Sequence, residues 1–239
     1  MIDKNFLNQL AIKSQTTFRN VLREYYQNLF LSYFYQTKQS DLFFFKGGTA
    51  LRIVFKSPRF SEDLDFTASG DFPTFEQILE EVLIAIQQEG IETKIIESKT
   101  TTNGFFAILE APIHGETIEV QLQASQREKK KISGEKAIIV TDIIPAYVLQ
   151  TLEKQELFSE KIEALLSRQR IRDFFDLYFI LRSGIKIPII DEKRQEVMQI
   201  VESHQGGFTE LKEFLPRSFL SIVKDLKQIL ISELQKQKF

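Results

Sequence analysis

The stretch that decides the fold is residues 46–66, "KGGTALRIVFKSPRFSEDLDF". An apolar run, "DLFFF", leads into two adjacent glycines, and "TALRIVFK" then shows helical spacing that must stop before Pro58, because the residue preceding a proline is pushed out of the α region. "EDLDFTA" reads as the next strand. Asp63 and Asp65 are two apart, so on a strand both carboxylates point to one face while Leu64 and Phe66 point to the other. Like charges held side by side call for a cation, and carboxylates on a sheet suit Mg²⁺, a hard ion that takes oxygen ligands. A strand–Gly-Gly-Thr–helix turn offers free backbone N–H groups to an anion, and the missing Cβ lets a phosphate come close. Thr49 adds a hydroxyl or a cap. Neither a Walker A loop nor a Gly-x-Gly-x-x-Gly fingerprint is present. Taken singly, Gly-Gly is a turn and Asp-x-Asp a solvated strand end; the ordered combination carries the signal.

Outward from this stretch, residues 3–37 hold apolar positions at helical spacing (Phe6, Leu7, Leu10, Phe18, Val21, Leu22, Tyr25, Leu29), predicting one or two helices. "PTFEQILEEVLIAIQQEG" is a helix with proline at its start and glycine past its end. "ETKIIES", "GFFAILEAP", "ETIEVQLQAS", "KAIIVTDII" and "AYVLQTL" read as strands, with a lysine-rich hairpin tip, "REKKK" (127–131), among them. From residue 154 the pattern is helical. The expected fold class is α/β (α+β), with an N-terminal domain over 1–153 carrying a small mixed sheet and N-terminal helices, and a helical domain over 154–239.

Composition narrows the function classes. The 239 residues carry a net charge of −2, so no global positive field advertises a nucleic-acid partner, and any such contact must be local. The absence of cysteine removes thiolate chemistry and fits a reducing cytoplasm. No apolar run approaches the ~20 residues that span a bilayer, so the expectation is a soluble cytoplasmic protein with no membrane partner. His114 and His204 lack metal-ligand spacing and read as surface residues.

A second cluster lies in "EKIEALLSRQRIRDFFDLYFIL" (160–181). Lys161 sits on a helix with Ile162, Leu165 and Leu166, and after an arginine-rich turn Asp173 and Asp176 share one face of the next helix. An ion-paired helical hairpin would account for these residues by itself.

The chain resembles the AbiEii/AbiGii toxin family of the DNA polymerase β-type nucleotidyltransferase superfamily, which includes the MenT-like toxins. The resemblance rests on "GGTALR…RFSEDLDF", "EKIEAL" and "RQRIRDFFDLY", in that order. It implies an N-terminal nucleotidyltransferase domain whose active site is completed by the helical domain. The implied reaction moves NMP from an NTP to an acceptor hydroxyl with loss of pyrophosphate, using Mg²⁺. The implied catalytic residues are Asp63, Asp65, Lys161 and Asp176 or Asp173. The nucleotide would be held by Gly47, Gly48, Thr49, Arg59, Ser61 and Lys161. A third carboxylate on a later strand is best placed at Glu119, in "TIEVQLQ", with Asp63 and Asp65 as the other metal ligands. The biology implied is a bacterial toxin-antitoxin or abortive-infection system acting in phage defence. Its acceptor would be the tRNA 3′ end or another RNA, and its restraint a cognate antitoxin. A non-catalytic nucleotide-binding regulatory module, or a transferase with a protein or small-molecule acceptor, stays open from the residues alone.

Overall fold

A computed structural model describes residues 1–126, 132–185 and 188–236, which fall into two compact units, Met1–Glu153 and Lys154–Phe239. The first unit opens with helices α1 (Lys4–Lys13) and α2 (Phe18–Phe34). Both begin at residues suited to it: the Asp3 carboxylate accepts from the amides of Asn5 and Phe6, and the Thr17 hydroxyl accepts from that of Asn20. Strand β1 (Phe43–Lys46) runs directly into a short helix, α3 (Gly47–Ile53). The helix therefore starts at the glycines themselves rather than after them. Strand β2 (Leu64–Ala68) follows, so Asp63 stands just before the strand and Asp65 within it. Helix α4 (Phe72–Gln88) is capped by Asp71 and ends at Gly90, whose φ of 84° suits glycine.

The remaining strands are β3 (Lys94–Thr101), β4 (Gly104–Ile113), β5 (Glu116–Gln126), β6 (Gly134–Ile139) and β7 (Tyr147–Leu152). They join one mixed sheet in the order β3-β4-β5-β2-β1-β7-β6. β2 runs parallel to β5 and antiparallel to β1, while β1 runs parallel to β7. Alternating burial along β4 and β5 gives the sheet one packed face. Against that face a phenylalanine cluster forms the core: the ring of Phe34 lies 4.9 Å from Phe66, and Phe75 lies 4.9 Å from Phe43 and 5.0 Å from Phe105. Residues 127–131, expected as a hairpin tip, lie outside the described residues. The described strands on either side, β5 and β6, are not neighbours in the sheet.

The second unit is helical: α5 (Lys154–Arg168), α6 (Ile171–Arg182), α7 (Pro188–Glu192), α8 (Arg194–Ser203) and α9 (Leu220–Lys236). A two-residue turn with Gln169 at φ 51° joins α5 to α6. Phe158, Ile162, Leu165, Phe174, Ile180 and Leu226 fill its core, each with no exposed surface. His204 is not a surface residue of the expected kind. Its ring stacks on Phe208 at 4.9 Å and approaches Phe174 at 4.5 Å, and burial together with Lys227 pushes its pKa below the ordinary value. His114, also expected at the surface, contacts the carbonyl oxygen of Ile2 at 2.8 Å.

Candidate active site

The glycine turn and the aspartate strand meet because β1 and β2 pair, with Lys46 opposite Asp65. Gly47 has a φ of 81°, and a Cβ built on it would lie 2.0 Å from Asp65 Oδ2. Only glycine lets this carboxylate lie against the turn. A Cβ on Gly48 would lie 2.6 Å from Ser61 Oγ and 2.7 Å from Arg59 Nη2. Arg59 and Ser61 are both buried, and Arg59 Nη1 donates to the Phe60 carbonyl at 3.1 Å. They therefore shape the turn from within. The Thr49 hydroxyl, fully buried, donates to the backbone carbonyl of Asp63, so Thr49 fixes where Asp63 stands. Gly47, Gly48, Thr49, Arg59, Ser61, Asp63 and Asp65 thus form one packed constellation.

Helix α2 braces it, through residues that carry no motif. Gln27, 2% exposed, donates Nε2 to the Ser61 carbonyl at 3.0 Å. Arg23 pairs through Nη2 with Glu62 Oε1 at 2.9 Å, and its Nε reaches the Glu119 carbonyl at 3.3 Å. Burial pushes the Arg23 pKa down, opposed chiefly by Glu62 and less by Asp63 and Glu119. Glu24 receives a two-pronged contact from Arg52, Nε–Oε1 at 2.8 Å and Nη2–Oε2 at 3.1 Å. The same guanidinium donates to the Ser57 and Pro58 carbonyls, each at 3.2 Å, and lies 3.9 Å from the Phe60 ring centroid. The sequence signal for this brace is a polar stripe at helical spacing, Asn20, Arg23, Glu24, Gln27 and Asn28, which by itself reads as a solvent-facing side.

Gln123, rather than a carboxylate, stands beside Asp65 on the parallel strand β5. Glu119 lies four residues earlier, about 13 Å along the strand, with an exposed side chain. Among the described residues no three His, Cys, Asp or Glu side chains form a group able to hold a metal ion. The donor set that remains, Asp63 and Asp65, suits Mg²⁺, which commonly takes one or two carboxylates and completes its shell with waters and substrate phosphates.

A cleft of about 400 Å³ opens beside Asp65, floored by Lys46, Gln123, Ser125, Phe106 and Lys99. Lys46 Nζ donates to Ser125 Oγ at 3.3 Å across its rim.

In the second unit, Lys161 Nζ lies 3.0 Å from Asp176 Oδ2, with side-chain exposures of 10% and 1%. Asp173 is differently engaged. Arg168 grips it through Nε–Oδ2 at 3.0 Å and Nη2–Oδ1 at 2.7 Å, and the Arg170 amide donates to Oδ2 at 3.1 Å. Asp173 therefore closes the α5–α6 turn, and Asp176 is the aspartate that meets the buried lysine.

The sheet with its glycine–aspartate turn is of the nucleotidyltransferase class. Residues 29–237 match the family described as nucleotidyl transferase AbiEii toxin, type IV TA system. The chain belongs to this family of nucleotidyltransferase toxins, as its motifs led us to expect. Its fold is similar to that of MenT4, a nucleotidyltransferase toxin from Mycobacterium tuberculosis, with a TM-score of 0.70 at 16% identity over 100% of this chain and 91% of that one. It is also similar to JHP933 from Helicobacter pylori, with a TM-score of 0.63 at 16% identity over 92% of each chain. No match is found among curated proteins. Among the described residues no helix is long and apolar enough to cross a membrane.

Proposed function

We propose that the chain transfers NMP from an NTP to a hydroxyl at the 3′ end of an RNA, tRNA foremost, and releases pyrophosphate. The observation that carries this reading is the packing of Asp65 directly against Gly47, which sets a carboxylate beside a turn that phosphate can approach. Asp63 and Asp65 would hold Mg²⁺, which supplies charge neutralisation for the attacking and leaving oxygens of an in-line displacement. The Gly47–Gly48 turn receives the β- and γ-phosphates, and the cation of Lys46 stands at its edge. The acceptor oxygen bonds to the α-phosphorus as the bridge to the β-phosphate breaks, and its electron pair leaves with pyrophosphate. Arg59, Ser61 and Thr49 keep the turn and Asp63 in place. Lys161 and Asp176 are assigned to the same reaction through their motif: Lys161 as a cation for phosphate, Asp176 as the group that holds it. An antitoxin encoded with the toxin restrains the activity in the cytoplasm of a bacterium defending itself against phage.

The test is incubation with each α-labelled NTP, Mg²⁺ and total tRNA. Label at the RNA 3′ end supports the reading. Label in protein or a small molecule moves the acceptor to another class, and NTP binding without transfer to anything contradicts catalysis.

A further inference from the structure

The strand register draws a line across the sheet that none of the motifs contains. Lys46 faces Asp65, Asp65 faces Gln123, Gln123 faces Phe106, and Phe106 faces Lys99. Residues opposite one another in a sheet share a face, so all five lie on the face opposite the phenylalanine core. Phe106 is half-buried there, although Phe105 and Ala107 on either side of it are buried in that core. An aromatic ring on the polar face of a strand calls for a partner. Phe106 stands two strands from Asp65, about 10 Å, and the cleft of about 400 Å³ spans the interval.

In-line displacement decides what enters this cleft. The entering and leaving oxygens lie on opposite sides of the reacting phosphorus. With pyrophosphate over Gly47 and Gly48, on the β1 side of Asp65, the attacking hydroxyl arrives from the β5–β4 side. That is the side of Gln123 and Phe106.

We infer that Phe106, Gln123 and Lys99 form the subsite for the terminal nucleoside of a single-stranded nucleic-acid acceptor, an inference that rests on the transferase reading above. The base stacks on Phe106, whose π face is indifferent to base identity. Gln123 offers an amide to the ribose or base edge, and the exposed Lys99 meets the preceding phosphate.

The test measures binding of a 5′-fluorescein single-stranded oligoribonucleotide with a free 3′ hydroxyl to the full chain, by anisotropy, for Phe106→Ala, Phe106→Trp and Lys99→Glu. Thermal melting confirms that each variant folds. The subsite predicts about tenfold or greater loss of oligonucleotide affinity for Phe106→Ala, near wild-type affinity for Phe106→Trp, and a weaker, less salt-dependent complex for Lys99→Glu. The KM for MgNTP stays unmoved in the Phe106 variants. Wild-type oligonucleotide affinity in Phe106→Ala overturns the proposal. So does a loss confined to the KM for MgNTP, which would put the donor's base in the cleft. Failure of the transferase reading shows separately, as absence of label transfer by wild-type protein, while oligonucleotide binding still decides the subsite.

Discussion

At the residue scale, Gly47 and Asp65 form the tightest constraint in the site. Gly47→Ala meets both a φ of 81° and a carboxylate oxygen 2.0 Å from the new Cβ. It should destabilise the first unit by about 1–3 kcal/mol and, by displacing Asp65, cut label transfer far more than the loss of folded protein explains. Circular dichroism melts beside transfer assays check this; a variant that melts lower yet turns over normally would separate the turn from the chemistry. The two aspartates of "RDFFDLY" give a second contrast. Asp173→Asn weakens the Arg168 clamp and should lower stability by about 1–3 kcal/mol, with turnover per folded molecule falling less than tenfold. Asp176→Asn leaves Lys161 buried without its carboxylate and should abolish most turnover; the reverse ranking would return the active role to Asp173. The sequence makes Asp63, Asp65 and the glycines legible because chemistry fixes their types and spacing. Arg23 and Gln27 are illegible because, with Asn20, Glu24 and Asn28, they form a polar stripe at helical spacing that reads as a solvent-facing side, although most of it is buried.

At the element scale, α2 works as a brace for the aspartate loop. From sequence, residues 3–37 read only as one or two helices; the contacts of Gln27, Arg23 and Glu24 give α2 a positioning task. Gln27→Ala leaves the Ser61 carbonyl without this donor, at a cost of about 1–3 kcal/mol. Transfer should drop at least tenfold, through kcat rather than the KM for MgNTP, since the loop that carries Asp63 loses its anchor. A change in KM alone would instead place Gln27 on the nucleotide. β5 is readable from its period-two alternation, but its neighbours are not. Period two tells which side of a strand is buried and leaves open which strand lies beside it. Hence Glu119, on the exposed face of β5 as alternation demands, reads as a partner for Asp63 and Asp65, although the parallel register puts Gln123 next to Asp65.

At the scale of the whole molecule, motif order over most of the chain pointed to the family, since three separated patterns in sequence are rarely a local accident. The change from alternating to helical periodicity near residue 154 is equally visible, because it is a change of hydrophobic period. What no pattern supplies is the acceptor, whose proposed subsite is assembled from β4, β5 and β3. The most direct measurement is transfer of α-labelled NMP to tRNA by Asp65→Ala against wild type, both verified as folded. The account predicts at least a hundredfold loss with the melting temperature little changed, because Asp65 lies on the open face of β2 away from the phenylalanine core. Wild-type transfer by Asp65→Ala would contradict it and remove the metal site from the glycine turn.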